Sequence, residues 1–275
     1  MNTPFWIACG KGYIEIVKIL LNDKRVDINK VNNNGATPFY GACQNGEIEI
    51  VNLLVNDQRV DINEANSFGA TPFWIACGKG YIEIVKILLN DKRVDITINF
   101  ATKYDQTPFL IACQEGQIEV VKLLLNDQRV DINKTRNDGV TPFLIACQFK
   151  RTEIVKLLLN EKRVDINQAN NYGQTPLLAV CYNGFFEIVQ HILASGRGVN
   201  LTLQNNEGMT PIDLARKNKE NNYWNKEKFQ GIIKLLESFE RDPNETRIKL
   251  EIQLGYPSNF LFFFFSFSFF LFQKF

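Results

Sequence analysis

The sequence predicts an all-α solenoid in which helix-turn-helix units stack on one another and are joined by hairpin loops. Three observations predict this fold class. A Thr-Pro pair recurs every 34 to 36 residues, a glycine follows it about nine residues later in most repeats, and an apolar stripe at helical spacing comes next. Seven repeats therefore occupy residues 1–240, with their Thr-Pro pairs at Thr3, Thr37, Thr71, Thr107, Thr141, Thr175 and Thr210.

The first helix of each repeat is predicted from its two ends. In repeat two the hydroxyl of Thr37 can cap the helix, and Pro38 suits the first helical position, where its missing N–H costs nothing. Gly46 then suits the left-handed conformation that ends a helix. A second helix follows at once.

The second helix is predicted to be amphipathic. In repeat one, Ile14, Val17, Leu20 and Leu21 form one apolar stripe. The segment 26–36 that follows mixes a short β-prone start with asparagine and glycine, which is typical of a hairpin turn. Helices of two to three turns are marginal in water, so the repeats must stack to be stable.

One stretch of the chain is duplicated without change. The segment TPFWIACGKGYIEIVKILLNDKRVDI starts at Thr3 and returns at Thr71. Such identity between copies that lie two repeats apart indicates a recent duplication.

The segment TPFYGACQNGEIEIVNLLVNDQRVDIN of repeat two resembles the ankyrin repeat, and the resemblance spans nearly 240 residues. It implies the ankyrin solenoid and binding of other proteins through hairpin tips and first helices, along the concave side. The histidine that normally follows the Thr-Pro-Leu of the family is absent, so we expect its hydrogen bonds between repeats to be replaced by apolar packing. Two extra residues within 97–106, where Asp105 replaces the hairpin glycine, predict one atypical hairpin.

The composition favours a soluble protein, and its balanced charge does not indicate nucleic acid or an anionic membrane surface as a partner. Lys and Arg number 31 against 30 Asp and Glu, which leaves no net field to attract nucleic acid. The N-terminal residues show no secretory signal, so we expect a cytoplasmic protein, with the nucleus as a second compartment. We expect a monomer.

The cysteine column is the first candidate for chemistry. One cysteine stands six residues after the threonine in each of the first six repeats, at Cys9, Cys43, Cys77, Cys113, Cys147 and Cys181. Neighbouring packed helices lie too far apart for disulfides, and zinc needs paired ligands at short spacing. We expect each thiol to fill a small buried slot. The pair Cys181 and His191 lacks an orienting third group, so we predict no enzyme, no metal and no cofactor.

Two further features carry structural hypotheses. The Arg-Val-Asp run, as in Arg25 and Asp27, is interpreted either as ion pairs between adjacent repeats or as solvated turn charges, and its sixth copy at Arg197 is degenerate. In repeat five Lys150 replaces the glycine between the helices, which predicts a weak turn with faster amide exchange.

Candidate partner-binding residues lie where nearly identical repeats differ at positions expected to face solvent. Aromatic residues at such positions are typical of interface hot spots, although drift of copied loops explains any one of them equally well. We expect joint replacement of Phe68, Tyr104 and Tyr172 by serine to abolish partner capture. The candidates are Phe68, Tyr104, Asp138, Phe149, Tyr172, Tyr182, Lys79 and Glu115.

The two ends differ from the array. Repeat seven, with Arg216 and Lys217 on its outer face, is expected to cap the solenoid, whereas the start at Met1 favours a truncated N-terminus. We expect a linker at 241–259 and a Phe-rich hydrophobic tail at 260–275.

The function predicted is a non-catalytic scaffold or adaptor that binds another protein. The alternative is a membrane-tethered scaffold anchored by the tail. Translation of non-coding sequence also explains that tail.

Overall fold

The structure is a computed structural model that describes residues 2–94, 105–221 and 225–256. These residues form fifteen helices and no strand, so the all-α prediction is confirmed. The helices are α1 (Pro4–Gly10), α2 (Ile14–Asn22), α3 (Pro38–Asn45), α4 (Ile48–Val55), α5 (Pro72–Lys79), α6 (Ile82–Asn90), α7 (Pro108–Glu115), α8 (Ile118–Asn126), α9 (Pro142–Gln148), α10 (Thr152–Asn160), α11 (Pro176–Asn183), α12 (Phe186–Ala194), α13 (Pro211–Asn221), α14 (Lys226–Arg241) and α15 (Pro243–Gln253).

The chain divides into two compact bodies, residues 1–146 and 147–275. In the first body the helices that follow the Thr-Pro pairs, α1, α3, α5 and α7, pack in a row. The partner helices α2, α4, α6 and α8 form a second row beside them. In the second body α11 packs on α13, while α12 packs between α10 and α14.

The predicted helix boundaries are confirmed by their hydrogen bonds. Thr37 Oγ1 accepts the backbone N–H of Tyr40 at 3.0 Å. The Thr-Pro threonines of repeats one, three, four, five and six make the same cap. Gly46 ends α3 with a φ of 80°. The loops between repeats turn through asparagine: Asn32 Oδ1 accepts from the backbone N–H groups of Asn34 and Ala36.

Asparagine side chains form one ladder between neighbouring repeats. Asn29 Nδ2 donates to the carbonyl of Arg59 at 2.7 Å, and its Oδ1 accepts from the N–H of Asp61 at 2.9 Å. Asn167 makes the same pair of bonds to the backbone of Gly198 and Asn200. Each such amide satisfies a donor and an acceptor of the next loop, which holds the loops in register.

Arginine side chains form a second ladder, which differs from the expected ion pairs between repeats. Arg59 pairs with Asp57 in its own loop at 2.5 Å, and this hydrogen-bonded contact lowers the pKa of the Asp57 carboxyl. The same guanidinium reaches the previous repeat by donating from Nη2 to the carbonyl of Leu21 at 3.0 Å. The hypothesis of inter-repeat ion pairs is therefore wrong for these residues, because the ends of the preceding helices offer unpaired carbonyls as acceptors.

The tryptophan at the position of the family's histidine also corrects an expectation. Trp6 Nε1 donates to the carbonyl of Ala36 at 3.0 Å, so a hydrogen bond between repeats is kept here and not replaced by apolar packing alone. Its duplicate, Trp74, buries Nε1 without a partner among the described residues. The indole N–H of tryptophan is itself a hydrogen-bond donor, so tryptophan can make a bond between repeats in place of histidine.

The segment expected to be a linker contains α15. This helix starts after Asp242, whose side chain caps it by accepting the N–H of Glu245 at 2.9 Å, and it packs on α12 and α14. After it, Tyr256 Oη lies 2.8 Å from His191 Nδ1. Burial of Leu250 against these helices explains why the segment is ordered as a helix.

Among the described residues, two that are not glycine adopt left-handed backbone conformations where other repeats have glycine. Asp105 has a φ of 53° and Lys150 a φ of 55°. The Lys150 ammonium lies 5.7 Å from the centre of the Phe185 ring, a cation–π contact that offsets part of the backbone strain.

Replacing Lys150 separates the backbone strain from the ring contact. Both Lys150→Gly and Lys150→Ala remove the ammonium, but only glycine adopts this φ without steric cost. We expect the glycine variant to exceed the alanine variant in free energy of unfolding by about 1 kcal/mol. Urea denaturation of the full chain measures this difference, and equal stability of the two variants would contradict it.

Candidate functional site

The structure exposes most of the residues predicted to bind a partner. Tyr172 is 66% exposed and Tyr182 51%, and Phe68 and Phe149 are exposed as well. Lys79 and Glu115 lie exposed at the ends of α5 and α7, whereas Asp138 is half-buried. Tyr104 lies outside the described residues.

Two of these residues, Tyr172 and Tyr182, line the same open groove in the second body. The groove has a volume of about 600 Å³ and lies between a hairpin tip, α11, the next hairpin tip and α13. Its lining residues are Tyr172, Gln174, Leu178, Tyr182, Asn205, Asn206, Glu207, Leu214, Lys217, Asn218 and Asn221.

The backbone at both tyrosines is held by hydrogen bonds. In the hairpin tip, Asn170 Oδ1 accepts the N–H of Tyr172 at 3.0 Å, and the Tyr172 carbonyl accepts the N–H of Asn206 at 3.3 Å. Near the end of α11, the Tyr182 carbonyl accepts from Asn218 Nδ2 at 2.7 Å. Both aromatic rings are therefore attached to a constrained backbone while their side chains remain exposed to solvent.

Two leucines and two charged residues of opposite sign are among the residues that line the groove. Leu178 and Leu214 are buried. At the rim Lys217 Nζ lies 3.4 Å from Glu207 Oε2, and both side chains are about half exposed or more, so this ion pair contributes little to stability. The groove thus combines two exposed aromatic side chains with no net charge, an arrangement suited to contacting an apolar side chain of a ligand.

Sequence reasoning missed the α13 side of this groove. Repeat seven was expected only to cap the solenoid, yet its residues Leu214, Lys217, Asn218 and Asn221 line the groove together. Their spacing of three, four and seven residues places them on one face of a helix, which is the signal that could have found them.

The other predicted residues do not join this groove. Asp138 accepts from the Arg136 Nε at 2.8 Å and from the Val140 N–H at 3.3 Å, so it stabilises its own hairpin tip, where Arg136 occupies the position of the turn-forming asparagine. The hydrogen bond from Arg136 also lowers the pKa of the Asp138 carboxyl. Phe68, Lys79 and Glu115 belong to the first body, and Phe149 is not among the groove-lining residues.

The cysteine column lies in the core, as predicted. All six cysteines are buried and unpaired, and burial raises the pKa of the Cys9 thiol to about 12 and shifts the other five in the same direction. Burial likewise lowers the pKa of His191. A protonated, inaccessible Cys181 is the opposite of an activated nucleophile. Within the described ranges, no group of histidine, cysteine or acidic residues could hold a metal ion.

No helix in the described part of the chain is both long and apolar enough to span a bilayer. The Phe-rich segment 260–275 lies outside that part.

Comparisons with known proteins agree with this architecture. The family model for ankyrin repeats, in three copies, matches residues 1–66, 53–138, 96–170, 125–205 and 143–244. The ankyrin repeat domain of human ASB11 is 26% identical with a TM-score of 0.65, over 77% of this chain and 91% of that one. The ankyrin repeat domain of Bcl-3, titled a unique member of the IkappaB protein family, is 22% identical with a TM-score of 0.67, over 78% of this chain and 93% of that one. No curated protein sequence matches. The chain belongs to the ankyrin-repeat family.

Proposed function

We propose that this protein is a non-catalytic scaffold that binds another protein through the groove lined by Tyr172 and Tyr182. One observation carries the proposal: two exposed tyrosines on hydrogen-bonded backbone line a single groove. Tyrosines in such settings are enriched among the residues that dominate binding energy. Ankyrin repeats generally mediate protein–protein interaction, which supports the same assignment.

The remaining exposed candidates form a second, weaker part of the proposal. Phe68, Lys79 and Glu115 present side chains to solvent on the first body. They lie on tips and helix ends equivalent to those of the groove, so we propose that they form a separate contact surface on the first body. We expect the scaffold to act as a monomer in the cytoplasm.

Replacing both groove tyrosines tests the proposal. The full chain, immobilised, is used to capture proteins from a lysate of its source cells, alongside Tyr172→Ser/Tyr182→Ser. Removing two hot-spot rings costs at least about 2 kcal/mol of binding free energy, which is more than tenfold in affinity. We therefore expect the captured proteins to be lost from the double variant, measured by quantitative mass spectrometry.

A matched control uses another exposed aromatic residue. Tyr13 is 48% exposed and is neither a candidate nor a groove-lining residue, so Tyr13→Ser should keep the captured proteins. Circular dichroism should show equal helix content in all variants. Equal capture by the double variant and the wild-type chain would refute the groove as the binding site.

The alternative function is a membrane-tethered scaffold. It rests on the sequence of the tail, where ten of the 22 phenylalanines fall within residues 260–275. Fusing residues 257–275 to a soluble fluorescent reporter tests it. Membrane localisation of the fusion supports tethering, and a diffuse signal contradicts it.

A further inference from the structure

We infer that repeat one carries a second protein-binding surface, which accepts an ankyrin-type helix pair presented by another chain. This surface, the outer face of repeat one, comprises Pro4, Ile7, Ile16, Leu20 and Arg25. It shares no residue with the groove of the second body, so the inference goes beyond the proposed function.

The verbatim duplicate of repeat one shows what covers this face when a repeat packs on it. Residues 71–96 of repeat three repeat the sequence of repeat one. Both α1 and α5 pack against the first helix of the following repeat, but α5 also packs against α3 of the repeat before it. Ile84 and Leu88 are fully buried there, whereas their equivalents Ile16 and Leu20 are exposed and half-buried. The outer face therefore fits the surface that repeat two presents to repeat three.

Apolar contacts form one part of this fit. Ile75 of repeat three packs against a buried cluster of repeat two that contains Tyr40. Its equivalent in repeat one, Ile7, is 40% exposed. Repeat one also has an open groove of about 380 Å³ that is lined in part by Pro4 and Leu20. Exposed apolar surface that is buried in an identical copy is a surface suited to a protein partner.

Hydrogen bonds form the other part of the fit and define the chemistry of the partner. Arg93 Nη2 donates to the carbonyl of Val55 at the end of α4, and the Arg93 carbonyl accepts from Asn63 Nδ2 at 2.6 Å. The equivalent side chain of Arg25 is 89% exposed and pairs with Asp23 of its own loop. A partner that fits this face thus offers a helix C-terminus with a carbonyl acceptor and a loop asparagine, as repeat two does.

A second copy of this chain does not offer that surface. Repeat two is already packed against repeat three within the chain, and α14 of repeat seven packs against α15. The occupant is therefore the last helix pair of a different ankyrin-type array. The two arrays would stack end to end, through different surfaces on the two sides.

A labelled copy of repeat two tests the proposal. A synthetic peptide of residues 37–70 with a fluorescent label is titrated with the full chain, and fluorescence anisotropy reports binding. We expect saturable binding, which Ile16→Arg should weaken at least about tenfold because it places an unpaired charge in an apolar contact. Ile252→Arg is the matched control, since Ile252 is also an exposed isoleucine but lies on α15, and it should bind as the wild-type chain does.

A chain whose outer face is already covered provides a second control. Inserting a copy of residues 37–70 between Asn2 and Thr3 recreates the natural junction of Ala70 and Thr71. This extended chain should not bind the peptide. In it, Ile16→Ala should lower the urea midpoint as much as Ile84→Ala does, because both isoleucines are then enclosed by a preceding repeat.

Three results would overturn the proposal. The first is the absence of saturable peptide binding to the wild-type chain. The second is equal binding by Ile16→Arg or by the extended chain, which would mean that the peptide binds elsewhere. The third is a loss from Ile16→Ala in the extended chain as small as in the wild-type chain, and this measurement does not depend on folding of the free peptide.

Discussion

Ile84→Ala should lower the free energy of unfolding by about 2 to 4 kcal/mol, whereas Ile16→Ala should lower it by less than about 1 kcal/mol. The two isoleucines occupy the same position in the two verbatim copies of the duplicated segment. Ile84 is fully buried, but Ile16 is 48% exposed. Local sequence and helix propensity are therefore matched, and burial alone differs.

The cause of this difference is the number of neighbouring helices. In the described structure α6 packs against α5, α4 and α8, whereas the close helical neighbours of α2 are α1 and α4. Removing a side chain enclosed on all sides leaves a cavity and loses its contacts, but truncating a half-exposed one removes apolar surface that water already reached.

Urea denaturation of the full-length variants, followed by circular dichroism, measures both effects. Val17 and Val85 provide an internal control, because both copies of this valine are fully buried. Val17→Ala and Val85→Ala should thus destabilise to a similar extent. Equal losses for the two isoleucine variants would show that the exposed face of α2 is covered in solution.

Arg197→Met should destabilise the second body by about 2 to 3 kcal/mol. The guanidinium donates to four carbonyls of the preceding repeat, those of Leu159, Glu161, Lys162 and Val164, at 2.7 to 3.2 Å. Methionine retains much of the volume of the aliphatic part of arginine. The four carbonyls, however, are then hydrogen-bonded to water or have no donor. The half-buried position of Arg197 limits the loss, because water can reach part of the site.

Arg197→Lys should recover only part of this loss. A planar guanidinium carries five N–H donors in a fixed fork, whereas an ammonium has three donors on one atom and cannot span four separated carbonyls. Arg25→Met is the matched control, since the side chain of Arg25 is 89% exposed and pairs with Asp23 in its own loop. Its effect should stay below about 1 kcal/mol. A loss from Arg197→Met as small as that of the control would refute the role of Arg197.

Arg197 shows why a degenerate motif was misjudged. The motif at Arg197 lacks the aspartate of the other Arg-Val-Asp copies, so the sequence pattern alone indicated a degenerate copy. In the structure Arg59 and Arg197 both donate to carbonyls of the previous repeat, although the Arg197 run lacks the aspartate. Spacing within a repeat contains no information about acceptors some 35 residues away.

The candidate site was predictable in part. Tyr172 and Tyr182 were identified because they interrupt a repeated pattern at exposed positions, and both are exposed in the structure. That they share one groove with α13 depends on how two successive repeats pack, which no single repeat encodes. Asp138 also interrupts the repeated pattern, yet its carboxylate accepts hydrogen bonds from Arg136 and Val140 within its own loop.

The sequence by itself determined the repeat length, the helix starts at Thr-Pro, the left-handed glycine ends and the buried cysteine column, because these features depend on contacts within one repeat and its identical neighbours. Only the tertiary structure decided which copy of an identical isoleucine is buried, which carbonyls the arginines cap and which tyrosines line a common groove. The physical reason is that burial and hydrogen bonding between repeats are properties of two packed surfaces, and residues identical in sequence differ whenever their neighbours differ.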